Sequence, residues 1–219
     1  MGAEIPKQYL KLCGKPLFLY ALEAFLKVDQ IAQIFLILSP QDCHFEKFQN
    51  LPIFKNSKIK ILKCGGKTRA ESVFNALNET QNFVAENDFV LVHDAARALI
   101  SPEWIVKLIA EIENDSVGGL LALPVQDTLK KAAKSKPARV LETHPREAFW
   151  LAQTPQMFRF ALLKKALSQN LQGTDEAAAV ENLGLSPRLV LGDFSNFKIT
   201  TPADLALAEL ILKGRKDEI

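Results

Sequence analysis

Short apolar runs alternate with helical periods along this chain. Ile34 to Leu38 (IFLIL) is a compact apolar run that Ser39-Pro40 ends. Ile59 to Lys63 (IKILK), Phe89 to Val92 (FVLV), Gly119 to Leu123 (GLLAL) and Arg188 to Leu191 (RLVL) repeat the pattern. Runs this short and continuous predict strands covered on both faces, as in a parallel sheet. Between them lie helical segments. Leu17 to Val28 carries Leu19, Leu22 and Leu26 in a helical period, and Thr68-Arg69-Ala70-Glu71 has the form of a capping box opening a helix through Leu77. Ser101-Pro102-Glu103 opens another, with serine at the cap and proline at the first helical position. Thr174-Asp175-Glu176 starts a helix that Gly184 ends, and Thr201-Pro202 starts a last one through about Leu212. This alternation predicts an α/β doubly wound fold, Rossmann-like, with a mainly parallel sheet in a single domain over 1–219.

One stretch breaks the alternation. Val125 to Phe149 (VQDTLKKAAKSKPARVLETHPREAF) joins two short strand-like pieces through the turn signal Ser135-Lys136-Pro137 and carries five basic residues between Lys130 and Arg139. It reads either as a solvated hairpin or as an arm that leaves the domain to pack on a partner.

Composition narrows the classes. The 219 residues hold 27 Lys+Arg against 25 Asp+Glu, a net charge of +2, which gives no global signal for nucleic acid or a membrane surface. A hydrophobic fraction of 48% is that of a globular chain. Cys13, Cys43 and Cys64 are too widely spaced for a metal motif or a disulfide framework and read as reduced thiols. No apolar run reaches a membrane span and the N-terminus has no secretion signal, so the expected location is cytoplasmic.

The segment VLVHDAAR carries the most chemistry. A buried strand runs into His93-Asp94, and sites of open parallel sheets lie at the carboxyl ends of strands. Asp94 there suits a divalent cation, since Mg²⁺ is usually held by one or two carboxylates plus substrate phosphates, and Arg97 can fork onto a phosphate. Alternatively Asp94 caps a turn with Arg97 as its ion-pair partner, and His93 is structural. Gly65-Gly66, in CGGKTRAES, either lets the backbone approach a ligand closely or is an ordinary strand-to-helix turn. Lys7, in PKQY, reads alone as a solvated lysine. The stretches TPQMF (Thr154 to Phe158) and NFKIT (Asn196 to Thr200) each place a hydroxyl or an ammonium beside a strand end.

In this order, PKQYL, GGKTRAESV, VHDAAR, PVQDT, TPQMF, TDEAAAVE, NFKIT and PADLALAE resemble the 2-C-methyl-D-erythritol 4-phosphate cytidylyltransferases of the non-mevalonate isoprenoid pathway, over nearly the whole chain to about Leu212. The resemblance implies that a phosphate oxygen of methylerythritol phosphate attacks the α-phosphorus of CTP and expels pyrophosphate. It implies that Asp94 binds Mg²⁺, that Lys7 and Lys198 are catalytic and stabilise the phosphate charge, that Arg97, Thr128, Arg146 and Thr154 hold the substrate, and that Gly66 and Ser72 bind cytidine. It also implies that residues 125–149 form a β-arm clasping a second subunit in a homodimer. CDP-ribitol pyrophosphorylases share much of this pattern and are the alternative, together with a non-catalytic relative. A sugar-nucleotide glycosyltransferase is disfavoured because no Asp-x-Asp occurs. The family begins with a strand and a glycine-rich loop, of the form Ala-Ala-Gly-x-Gly-x-Arg, ahead of the PKQY loop. Met1-Gly2 stands where that loop ends. The expectation is therefore that Met1 is internal to a longer working protein and that the 219-residue chain turns CTP over slowly.

Overall fold

Local chemistry starts each element where a cap or a proline allows it. The computed structural model describes residues 6–217. A 3-10 turn at Lys7–Tyr9 leads into a short hairpin of β1 (Lys11–Leu12) and β2 (Lys15–Pro16), whose turn holds Cys13 and Gly14 at positive φ, 47° and 84°. Then follow α1 (Leu17–Leu26), β3 (Ile34–Ile37), β4 (Ile59–Leu62), α2 (Arg69–Thr80), β5 (Phe89–Val92), α3 (Pro102–Ile112) and β6 (Gly118–Pro124). The chain continues through β7 (Leu129–Ala132), β8 (Val140–His144), β9 (Trp150–Arg159), α4 (Phe160–Gln169), α5 (Glu176–Glu181), β10 (Arg188–Leu191) and α6 (Pro202–Asp217).

The main sheet has the order β10-β6-β9-β5. β10 is parallel to β6, and β9 lies antiparallel between β6 and β5, so three of its four strands share one direction. β3 and β4 form a separate parallel pair, and β7 and β8 form the arm hairpin. This is the doubly wound α/β fold of the sequence reading, with one antiparallel strand inserted. Period-two alternation splits the main sheet's side chains between two cores. Leu121 and Met157 face α1 and α3 through Phe25, Ile105 and Leu108, whereas Leu120 and Phe158 face α2, α4 and α5 through Leu77, Leu163 and Val180. β10 approaches β6 closely at Gly119, where a Cβ would stand 2.3 Å from the Arg188 carbonyl oxygen.

Several expectations change. β6 is buried as its sequence suggested, but β3 and β5 are only partly buried at every position. Among the described residues each of them pairs on one side only, β3 with β4 and β5 with β9. β9 and α4 were not foreseen, because Gln153, Thr154, Pro155 and Gln156 interrupt the apolar pattern that marks a core strand. α6 runs past Leu212 to Asp217. The reading of Met1 and Gly2 lies outside the described residues.

Candidate active site

The site grows from the carboxyl end of β5. Beyond Val92 the strand gives way to His93 and Asp94, and β9 bulges opposite. β6 pairs Leu120 with Gln156 but Ala122 with Ala152, so β9 spends two extra residues there, around Thr154. Thr154 Oγ1 accepts the Asp94 N–H at 3.1 Å and lies 3.1 Å from His93 Nδ1, while His93 Nε2 lies 3.1 Å from the Arg97 carbonyl. That carbonyl can only accept, so Nε2 carries the proton, and Nδ1 accepts from the Thr154 hydroxyl. Burial lowers the His93 pKa to about 4, leaving a neutral, structural imidazole packed 5.2 Å from the Phe25 ring.

Asp94 is doubly paired. Arg69 Nε donates to its Oδ1 at 2.6 Å and Lys198 Nζ to its Oδ2 at 2.8 Å. Burial pushes the Asp94 carboxyl up, but these two cations outweigh it and hold the pKa at about 2. Arg69 and Lys198, not Arg97, are therefore its ion-pair partners. Arg69 also forks onto Glu176, with Nη1 at 2.6 Å from Oε1 and Nη2 at 2.8 Å from Oε2. Burial works against the Arg69 charge, yet the two carboxylates hold its pKa above the ordinary value. For Glu176, burial pushes the carboxyl up against the pull of Arg69.

Arg97 stitches the loops around Asp94 together. Its Nη1 donates to the Asn196 carbonyl at 2.8 Å and its Nη2 to the Ala152 carbonyl at 3.1 Å, and its buried Nε has no partner. Burial lowers its pKa. Asn196, itself buried, donates to the Thr154 carbonyl at 2.9 Å, and Ile199 N donates to the Ala96 carbonyl at 2.9 Å. Together these bonds bring Asp94, Arg97, Thr154 and Lys198 into one cluster. Asp204 steadies the Lys198 loop from the far side, accepting from the Thr200 and Thr201 N–H groups at 2.8 and 2.7 Å.

Gly66 and Ser72 join this cluster through α2. Ser72 Oγ accepts the Gly66 N–H at 3.0 Å, and Thr68 caps the helix by accepting the Glu71 N–H at 3.1 Å. The expected capping box is shifted by one residue, because Glu71 reaches back to the Lys67 N–H at 2.6 Å rather than to Thr68. Arg69 is the first residue of that helix. Lys7 lies on a separate turn. Its turn is anchored by buried Tyr9, whose hydroxyl donates to Asp42 at 2.8 Å and whose ring belongs to the apolar cluster against which Ala95 packs. Thr128 and Arg146 sit on the arm, where Arg146 donates to the Gln126 carbonyl. Among the described residues no hydrogen bond or ion pair ties Lys7, Thr128 or Arg146 to the Asp94 cluster.

Sequence reasoning missed Arg69 and Glu176 as site residues. Both lie inside quoted motifs, but they stand 107 positions apart and nothing local pairs them. What the assembled groups can do is bind phosphate. Lys198 is partly exposed, Asp94 is ionised, and the Gly66 turn is joined to them through α2 and Arg69. Among the described residues no cluster of three or more His, Cys, Asp or Glu gathers here, so a Mg²⁺ ion would have Asp94 as its one protein carboxylate, with phosphates and water as the remaining ligands.

A family model described as 2-C-methyl-D-erythritol 4-phosphate cytidylyltransferase (IspD) matches residues 1–214. The chain is 48% identical over 215 residues to the 2-C-methyl-D-erythritol 4-phosphate cytidylyltransferase of Dechloromonas aromatica, covering 98% of this chain and 92% of the relative. It is 49% identical over 218 residues to that of Nitrosomonas eutropha, with the same coverage. Among solved structures, that of the Francisella tularensis enzyme superposes with a TM-score of 0.80 at 36% identity, over 94% of this chain and 93% of that one.

Proposed function

Because the chain belongs to the 2-C-methyl-D-erythritol 4-phosphate cytidylyltransferase family, we propose a reaction centre built around Asp94 and its two cations. The chain is a nucleotidyltransferase of isoprenoid precursor biosynthesis, joining CTP to 2-C-methyl-D-erythritol 4-phosphate with release of pyrophosphate. A phosphate oxygen of the acceptor attacks the α-phosphorus of CTP, and the bond from the α-phosphorus to the bridging oxygen of pyrophosphate breaks. The nucleophile is already anionic, so no residue needs to remove a proton. Positioning and charge stabilisation carry the catalysis.

Gly66 and Ser72 form the turn that receives the cytidine. Asp94 holds Mg²⁺, which when bound neutralises charge on the nucleotide phosphates. Lys198, within 2.8 Å of Asp94, stabilises the charge that develops on the phosphates, and Lys7, on its exposed turn, is assigned to the same charge. Thr154, Arg97, Thr128 and Arg146 serve the acceptor, Thr154 and Arg97 at the end of β5 and the other two on the arm.

The arm supports a homodimer. Val140 and Leu141 are about 62–63% exposed on β8, and Phe149 is exposed at its root, an apolar surface that suits a second copy of the chain. No helix among the described residues is long and apolar enough to cross a membrane, in keeping with an enzyme working in the cytoplasm.

The observation that carries this reading is the Asp94 carboxylate, ionised and pinned between Arg69 and Lys198 at the end of β5. The test is pyrophosphate release from CTP and Mg²⁺ with methylerythritol phosphate or ribitol 5-phosphate as acceptor, for the parent chain and for Asp94→Asn. Turnover with the first acceptor, abolished by the substitution, is expected. Preference for ribitol phosphate, or undiminished turnover by Asp94→Asn, overturns it. Native mass measurement tests the dimer, which Val140→Asp/Leu141→Asp should split into monomers.

A further inference from the structure

The roles above leave Arg69 and Glu176 unused, although together they grip the central carboxylate. Resting on the reading of Asp94 as the metal-holding group, we propose that Arg69 is a positioning residue, held by Glu176, that fixes the orientation of the Asp94 carboxylate and ties it to the Gly66–Ser72 turn.

The geometry of the guanidinium is the first argument. Its two Nη groups lie on both oxygens of Glu176, at 2.6 and 2.8 Å, and such a fork sets the plane of the group. The remaining Nε–H then points one way, at Asp94 Oδ1, 2.6 Å off. Asp94 cannot turn about its carboxyl bond without giving up that contact, so Oδ2 stays toward Lys198. A lysine at position 69 could satisfy one carboxylate but not set this plane.

Glu176 is itself set in a hydrogen-bonded frame. It begins α5 directly after Asp175, whose Oδ1 caps the helix at the Ala178 N–H, 3.0 Å away, and whose Oδ2 accepts from Gln156 Nε2 at 2.9 Å. Gln156 Oε1 in turn accepts the Ala177 N–H at 2.8 Å. Gln156 belongs to β9, so the relay runs from the sheet through α5 to Arg69 and back to the end of β5. The Glu176 side chain is 1% exposed. A buried ion pair is poor value as a stabiliser, since an apolar pair of similar volume often does as well. Here it defines a direction that an apolar pair could not.

Arg69 also sits where the two halves of the site meet. It is the first residue of α2, three positions after Gly66, whose N–H is held by Ser72. Cytidine seated on that turn and the carboxylate below it are thus braced by one helical turn.

The experiment uses Arg69→Lys, Glu176→Gln, their double variant and Asp94→Asn. Mn²⁺ affinity is measured by electron paramagnetic resonance with CTP and no acceptor, beside kcat and KM and a thermal unfolding midpoint. Outer-shell partners of metal ligands typically contribute about 10–100-fold in affinity or activity. Arg69→Lys and Glu176→Gln should each weaken Mn²⁺ binding and lower kcat by about 10-fold or more on that scale, with KM for the acceptor unchanged. The double variant should be no worse than the worse single one, since both act through one contact. Parental Mn²⁺ affinity in both single variants, or additive losses in the double, overturns the inference. If Arg69→Lys does not fold, Glu176→Gln decides alone, because it keeps the shape of the buried side chain. Asp94→Asn separates the two readings. If it retains metal binding and turnover, the site reading fails. If it loses both while the Arg69 and Glu176 variants lose neither, only the positioning role fails.

Discussion

Lowering the pH from 7 to 5 should reduce the stability of the fold by about 2 kcal/mol through His93 alone. The imidazole is neutral because it sits in a directed chain. The Asp94 N–H donates to Thr154 Oγ1, the Thr154 hydroxyl donates to Nδ1, and Nε2–H donates to the Arg97 carbonyl. A proton on Nδ1 would face the hydroxyl proton of Thr154 and oblige it to find another acceptor. Burial, the larger cause, acts in the same direction and brings the pKa from 6.5 to about 4. The sign follows from proton binding. Between those values the unfolded chain is protonated and the native one is not, so stability falls as the pH drops through that window. The lowering from 6.5 to about 4 corresponds to roughly 3 kcal/mol in full, of which about 2 kcal/mol is lost by pH 5. Urea unfolding of the parent and of His93→Gln at pH 7, 6 and 5 measures it. Subtracting the two curves removes carboxylates common to both proteins, such as Glu176, whose carboxyl burial pushes up. The stability gap between parent and variant should shrink by about 2 kcal/mol from pH 7 to 5. A gap that stays constant refutes the tautomer and the hydrogen-bond chain together.

Two further substitutions probe the frame and the turn. Phe158→Ala, at a fully buried position between β6, α2 and α4, should destabilise the protein by about 3–5 kcal/mol in the same unfolding assay. Gly66→Ala puts a Cβ 2.6 Å from Glu71 Cγ and 2.7 Å from Glu71 Cβ, and because that Cβ is fixed by the α2 backbone, a rotation of the Glu71 side chain alone cannot make room. The turn must shift against the start of α2, so the unfolding midpoint should fall and calorimetric titration should show weaker CTP binding.

The strands and helices that the sequence announced are those whose chemistry is local. Phe89–Val92 coincides with β5, and Thr68 caps α2 by the hydroxyl contact its motif implied. β9 was illegible because its signal is not periodic. Gln153 and Gln156 are buried in it only because the loop at Asp193 and the start of α5 supply their partners, and those partners lie 19 to 40 positions away. The same limit applied at the site. Asp94 stands out at a strand end, and Lys198 in NFKIT does too. The ion pair between Arg69 and Glu176, by contrast, is created by tertiary packing, with α4 against both α2 and α5, that brings the starts of α2 and α5 together. Arg97 was readable as a cation near the site but not as the brace between Ala152 and Asn196, since backbone carbonyls leave no mark in a sequence.

The position of β9 also governs when the protein can fold during its synthesis. β5 and β6 emerge first, yet neither pairs with the other. Both wait for β9, and β10 comes later still. From Pro124 to Arg159 the ribosome adds 159 − 124 = 35 residues, about 2–7 seconds of translation at usual rates. Through that interval the apolar run of β6, the most buried strand of the finished sheet, has no neighbour to hydrogen-bond. Nascent chains stalled before residue 150 should therefore hold no main sheet and be favoured clients of chaperones, whereas chains with β9 outside the tunnel can close the β5-β9-β6 core and bring Thr154 beneath Asp94 in a single event.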